Sequence, residues 1–157
     1  MNKQTRADLF LYLWEHWRKH FKMPPLETRK DLRYHCHACV ESWEEADEHH
    51  EKGYRELVYN PRKLAKWSTP IVINGVFHEL AHYKNDLPYD TFEEQVKSEY
   101  KAERFAVTMM KRYYPTELKE VIKHVKTKNL GKKKWRKAWP IHTAAYLKIK
   151  EYFMTRK

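Results

Sequence analysis

The chain has 157 residues, 41% hydrophobic and 15% aromatic, with only three glycines. That is enough apolar material for one domain with a buried core, and it excludes a linker-like or collagenous chain. The formal charge of +11 is unevenly placed: Thr116–Lys157 holds thirteen Lys and Arg against three Glu, whereas Glu41–Glu51 holds six acids and no Lys or Arg. The two cysteines, Cys36 and Cys39, exclude a disulfide framework. The apolar run Leu9–Trp14 is too short for a secretory or membrane segment, so a cytoplasmic protein that does not engage membranes is expected.

In chain order, Thr5 is placed to cap a helix running to about Phe21. Phe10, Trp14, Trp17 and Phe21 form one apolar stripe on it, and Met23-Pro24-Pro25 ends it. LRYHCHACV (32–40) alternates, with Leu32, Tyr34, Cys36, Ala38 and Val40 on one face, and reads as a strand. YRELVYN (54–60) reads as a second strand, the pair forming a long-looped hairpin. A strand there points Cys36 and Cys39 to opposite faces, which argues against a zinc site in HCHAC even with His49 and His50 nearby.

Thr69-Pro70 marks a helix start, with the helix continuing to about Lys84. Thr91-Phe92-Glu93-Glu94 is a capping box opening a helix that lasts until Pro115. A further helix is expected from Glu117 to near Gly131, and a last one from Pro140 through Phe153. The expected fold is α+β: a small antiparallel sheet packed with several helices, helix-rich overall. A single domain covers 1–157, with its core at about 26–115, an N-terminal helix at 5–21 and a basic helical part at 116–157.

The segment GVFHELAHYKND (75–86) carries the chemistry. Residues four apart on a helix share a face with β-carbons roughly 5–6 Å apart, so His78 and His82 can converge on one zinc at about 2.0–2.1 Å per bond. Glu79 then lies beside the metal, where a carboxylate can take a proton from water. Asn85 and Pro88 stand where a metzincin would have glycine and its third histidine, which excludes that class. On the next helix Glu99 and Glu103 are one turn apart, on a face continued by Ala102 and Ala106 that permits close approach. Glu99 is the expected third ligand. Glu103 is expected to orient a histidine from behind.

HELAH followed by Glu99-x-x-Ala102-x-x-Phe105-Ala106 resembles the ImmA/IrrE family of zinc metallopeptidases, as does LVYNP before the motif helix. The resemblance covers about residues 54–110. It implies a gluzincin-like core and a family frequent on phages and other mobile elements, whose described members cut helix-turn-helix repressors. Ala81 replaces the family's usual glycine, Glu103 its usual asparagine, and Thr108-Met109-Met110-Lys111 its hydrophobic-Met-Pro ending. Metal ligation carries over these departures; substrate identity does not.

The expected function is therefore a zinc-dependent endopeptidase acting on an intracellular protein such as a DNA-binding repressor. Glu79 is its general base, and Tyr83, Tyr113 and His142 are its candidate oxyanion donors. An extended substrate is expected to pair beside residues 54–60. One alternative is a SprT-like protease acting on DNA-associated proteins, although that class resembles this chain only in the motif helix and uses histidine as its third ligand. Another is a non-enzymatic binding protein with a structural zinc. In that case Lys132, Lys133, Lys134, Trp135, Arg136 and Lys137 would contact nucleic acid or an acidic protein.

Overall fold

Phe10 and Trp14 lose all solvent contact on the inner face of helix α1 (Lys3–His20), joined by Ala7, Leu13 and Trp17. The computed structural model in which this packing is seen describes residues 3–42, 46, 48, 51, 53–85, 91–128 and 139–155. The apolar stripe read from the sequence is the face that α1 lays on the core, where the Trp17 ring meets Phe77 at 5.0 Å and Tyr113 at 4.5 Å. The helix closes before the prolines: Lys22 N donates to Lys19 O and Met23 N to Arg18 O, with Lys22 in the left-handed region at φ 56°.

Three strands come next, β1 (Glu27–Lys30), β2 (Ala38–Ser42) and β3 (Arg55–Tyr59), in the spatial order β1-β3-β2. The expected antiparallel hairpin is the β2–β3 pair, with Val40 opposite Leu57. The sheet is nonetheless mixed, because β1 pairs parallel to β3 on its other side. All four β1 residues are exposed, so no alternation marks them in the sequence. Leu57 and Val58 are both fully buried, and buried Glu56 is met by the Arg29 guanidinium at 2.9 Å.

The first strand of the hairpin starts at Ala38 rather than Leu32. Asp31 Oδ1 accepts from Arg33 N, and Asn60 Nδ2 donates to the carbonyls of Leu32 and Tyr34, which hold this stretch in turns. Cys36 thus lies outside the strand, and both cysteines are free thiols. β3 is the central strand, flanked on both sides, so it has no open edge for a substrate at 54–60. The edge nearer the motif helix is β2.

Asn60 also caps the short helix α2 (Pro61–Leu64) through Arg62 N. Helix α3 (Thr69–Lys84) has Ser68, not Thr69, at its cap position. It is buried on nearly every side, packed against α1, β2, α4 (Phe92–Tyr113) and α5 (Pro115–Thr127). Thr91 Oγ1 accepts from Glu94 N at 3.1 Å, the expected α4 cap. α5 stops at Thr127, short of Gly131, and the expected contact residues 132–137 lie outside the described part of the chain. Helix α6 (Pro140–Thr155) packs on α4 and α5. Six helices with a three-stranded sheet among the described residues make this an α+β fold. None of the described helices is long and apolar enough to cross a membrane.

At Gly75 the backbone of α3 comes close to an aromatic ring. A β-carbon on Gly75 would stand 2.6 Å from the Trp67 ring, so the glycine lets Trp67 lie against α3. Gly75→Ala gains about 1 kcal/mol of helix propensity but overpacks the site at about 1–3 kcal/mol. We expect a net loss of stability, read as a lower denaturant midpoint. An unchanged or higher midpoint would show that Trp67 moves aside at no cost.

Candidate metal centre

Helix α3 buries Val76, Phe77, Leu80 and Ala81 around its motif, leaving His78 and His82 on the flank that meets α4. Ala102 and Ala106, both buried, let α4 approach close enough for its carboxylates to reach them. Glu99 Oε2 lies 3.1 Å from His78 Nε2, Glu99 Oε1 lies 3.2 Å from His82 Nε2, and the two Nε2 atoms are 3.1 Å apart. Adjacent ligand atoms around a tetrahedral zinc with bonds of about 2.0–2.1 Å are about 3.3–3.4 Å apart. The two imidazole nitrogens therefore already stand near the spacing a metal imposes, and each is met by a different oxygen of Glu99.

Glu79 sits just outside this triangle. Its Oε1 is 3.9 Å from His78 Nε2, and its Oε2 accepts from the backbone amide of Val40 at 3.0 Å, so strand β2 fixes its orientation. Ligand atoms of His78, Glu79 and His82 all lie within 4.8 Å of one another, a cluster able to hold a metal ion. Glu103 Oε1 approaches His78 Nδ1 to 2.8 Å. With a metal on Nε2, an ion pair of this kind would keep the remaining proton on Nδ1.

The electrostatics of Glu99, Glu79 and His78 differ. Burial would raise Glu99, but hydrogen bonds from both histidines hold it far below the usual carboxylate range. Burial raises Glu79, offset only in part by His78, His82 and the Val40 amide. Burial alone would lower His78; Glu103 and Glu99 more than reverse this and hold it well above its ordinary value. The result is one carboxylate held ionised between two imidazoles and a second, more basic one beside them, the division of roles that acid–base chemistry needs.

A cavity of about 320 Å³ opens from this cluster. Of the three expected oxyanion donors, the structure brings only His142 there. The Tyr83 hydroxyl is committed to Pro24 O at 2.8 Å, with Arg55 over its ring. Tyr113 packs on Trp17, its hydroxyl 3.4 Å from His20 Nε2. Neither lines the cavity, because their positions on α3 and α4 point them toward α1 and its C-terminal turn.

Sequence reasoning missed Tyr146. It lines the cavity one turn after His142, and burial together with Glu103 and Glu99 pushes its phenol up, so it stays a donor. Its i, i+4 spacing from His142 is the same signal that marks His78 and His82. Burial lowers His142. Asn74, one turn before His78, also lines the cavity; it is 7% exposed and its Oδ1 has no hydrogen-bond partner among the described residues. Cys36 lies on the wall, but burial pushes its thiol up to about 11, which leaves it protonated.

Searches of protein-family models, curated proteins and solved structures find no match to this chain.

If Glu103 orients His78, Glu103→Ala should weaken metal binding by about 10–100-fold, measured by competition with a chromophoric chelator. An affinity equal to wild type would remove Glu103 from the site.

Proposed function

We propose that the chain is a zinc-dependent peptidase. The observation that carries this reading is the His78–His82–Glu99 triangle with Glu79 fixed beside it. Two imidazoles and one carboxylate form the donor set of a catalytic zinc, which keeps a position open for substrate. His78 and His82 would bind through Nε2 and Glu99 through its carboxylate; zinc held there supplies Lewis acidity for a carbonyl and for water.

The remaining steps belong to the protein. Glu79 Oε1 takes a proton from the attacking water as its oxygen adds to the scissile carbonyl carbon. It returns that proton to the departing nitrogen as the C–N bond breaks, leaving a carboxylate and an amine. The Val40 amide keeps Glu79 turned toward this work and does not compete for Oε1. His142 and Tyr146 are placed on the cavity wall to donate to the developing oxyanion.

The HELAH and E-x-x-A-x-x-F-A strings resemble the ImmA/IrrE pattern at the positions that make the triangle, and this supports the peptidase class. A glutamate at the third corner favours this reading over a SprT-like one. A purely structural zinc would leave no task for a basic, oriented Glu79.

Glu79→Gln keeps the shape of the side chain and removes the base. We expect it to bind zinc as wild type does while peptide hydrolysis falls by about 10²–10⁴-fold. Hydrolysis within a few-fold of wild type at full zinc occupancy would exclude Glu79 as the base.

A further inference from the structure

The cavity continues along α3, away from the triangle. Gly75 and Ile71 line it four and eight residues before Glu79, about 6 and 12 Å along the helix. At the triangle its walls are acidic, through Glu79, Glu99 and Glu103; no other described lining residue carries a negative charge. The remaining walls are cationic and aromatic. Lys63, on α2, donates to the His35 carbonyl, and Lys128, just after α5, places Nζ 4.3 Å above the Tyr146 ring. Trp67, seated on Gly75, stacks on His37 at 4.1 Å with 17° between the rings, and Trp139 stacks on His35 at 5.8 Å and 10°.

We infer that this second half of the cavity is a carboxylate subsite, which takes an acidic side chain or the terminal carboxylate of a peptide within two residues of the cleaved bond. The inference rests on the peptidase reading of the triangle. The distance agrees: an extended peptide advances about 3.3–3.6 Å per residue, so two residues beyond the scissile bond reach the level of Gly75, where Trp67 sits. The charge agrees as well, since fixed ammonium groups at the edge of an apolar cavity focus a positive field on what lies between them. His37 senses that field: burial first, then Lys63, Lys128 and Lys66 push it down to about 4. The flat faces of Trp67 and Trp139 would cover the apolar part of the same residue.

Binding tests the subsite without relying on catalysis. N-acetylphenylalanine and its uncharged amide are titrated by calorimetry into the full chain, metal-free and zinc-loaded. The acid should bind about tenfold more tightly than the amide in both forms, as a charge-assisted contact would give. The preference should vanish in the Lys63→Gln/Lys128→Gln double variant and return in Lys63→Arg/Lys128→Arg, which also shows that the substituted chain still folds. Equal binding of acid and amide by wild type overturns the subsite, and so does a preference that survives the double Gln substitution.

Random-sequence peptides offered to the zinc-loaded chain separate the two sources of carboxylate. Enrichment of Asp or Glu beside the cut in C-terminally amidated peptides identifies the side chain; cutting confined to the ends of unblocked peptides identifies the chain terminus. Cleavage with neither preference overturns the subsite and leaves the peptidase reading intact. Carboxylate-selective binding without any cleavage supports the subsite and counts against the peptidase reading.

Discussion

Three acids and two histidines have to be kept at one level between α3 and α4, in a part of the molecule where water is mostly excluded. An uncompensated charge there costs several kcal/mol, so each group depends on its neighbours. Glu99 spans both imidazole Nε2 atoms, Glu103 meets the far nitrogen of His78, and Glu79 leans on the Val40 amide. The alanines at 102 and 106 matter for the same reason: larger side chains would hold α4 away and leave the histidines facing acids they could not reach.

The rest of the fold serves that contact. α1 and the sheet bury the opposite sides of α3 and so fix its rotation, while β2 contributes an edge strand whose backbone positions the proposed base. α6 packs on α4 and α5 and brings His142 and Tyr146 to the cavity. The basic balance of the chain acquires a local meaning here. Two of its lysines, Lys63 and Lys128, line the cavity that the triangle opens into rather than facing solvent alone.

Much of this was legible in the sequence, because helical spacing acts directly on geometry. The i, i+4 pairs His78/His82 and Glu99/Glu103 announce shared faces, and the Thr91 cap fixes where the second pair begins. The stripe of Phe10, Trp14 and Trp17 was readable for the same reason. What could not be read depends on contacts between distant segments. β1 exists through hydrogen bonds to β3 and carries only exposed residues, so it has no hydrophobic pattern to detect. The stretch 32–37 alternates as a strand does, yet Asp31 and Asn60 hold it in turns through bonds that cross 2 to 28 positions of the chain. Tyr83 and Tyr113 satisfy every sequence criterion for an oxyanion donor; only the packing of α1 shows that they face elsewhere.

That His78, His82 and Glu99 form one metal site is the claim on which everything else rests. The most direct test is elemental analysis of bound zinc in the wild-type chain and in Glu99→Ala, purified and reconstituted side by side. About one zinc per chain in the wild type and clear loss in the variant is the predicted result. Full zinc in Glu99→Ala would contradict the assignment of the third ligand, and no zinc in either protein would contradict the metal centre itself.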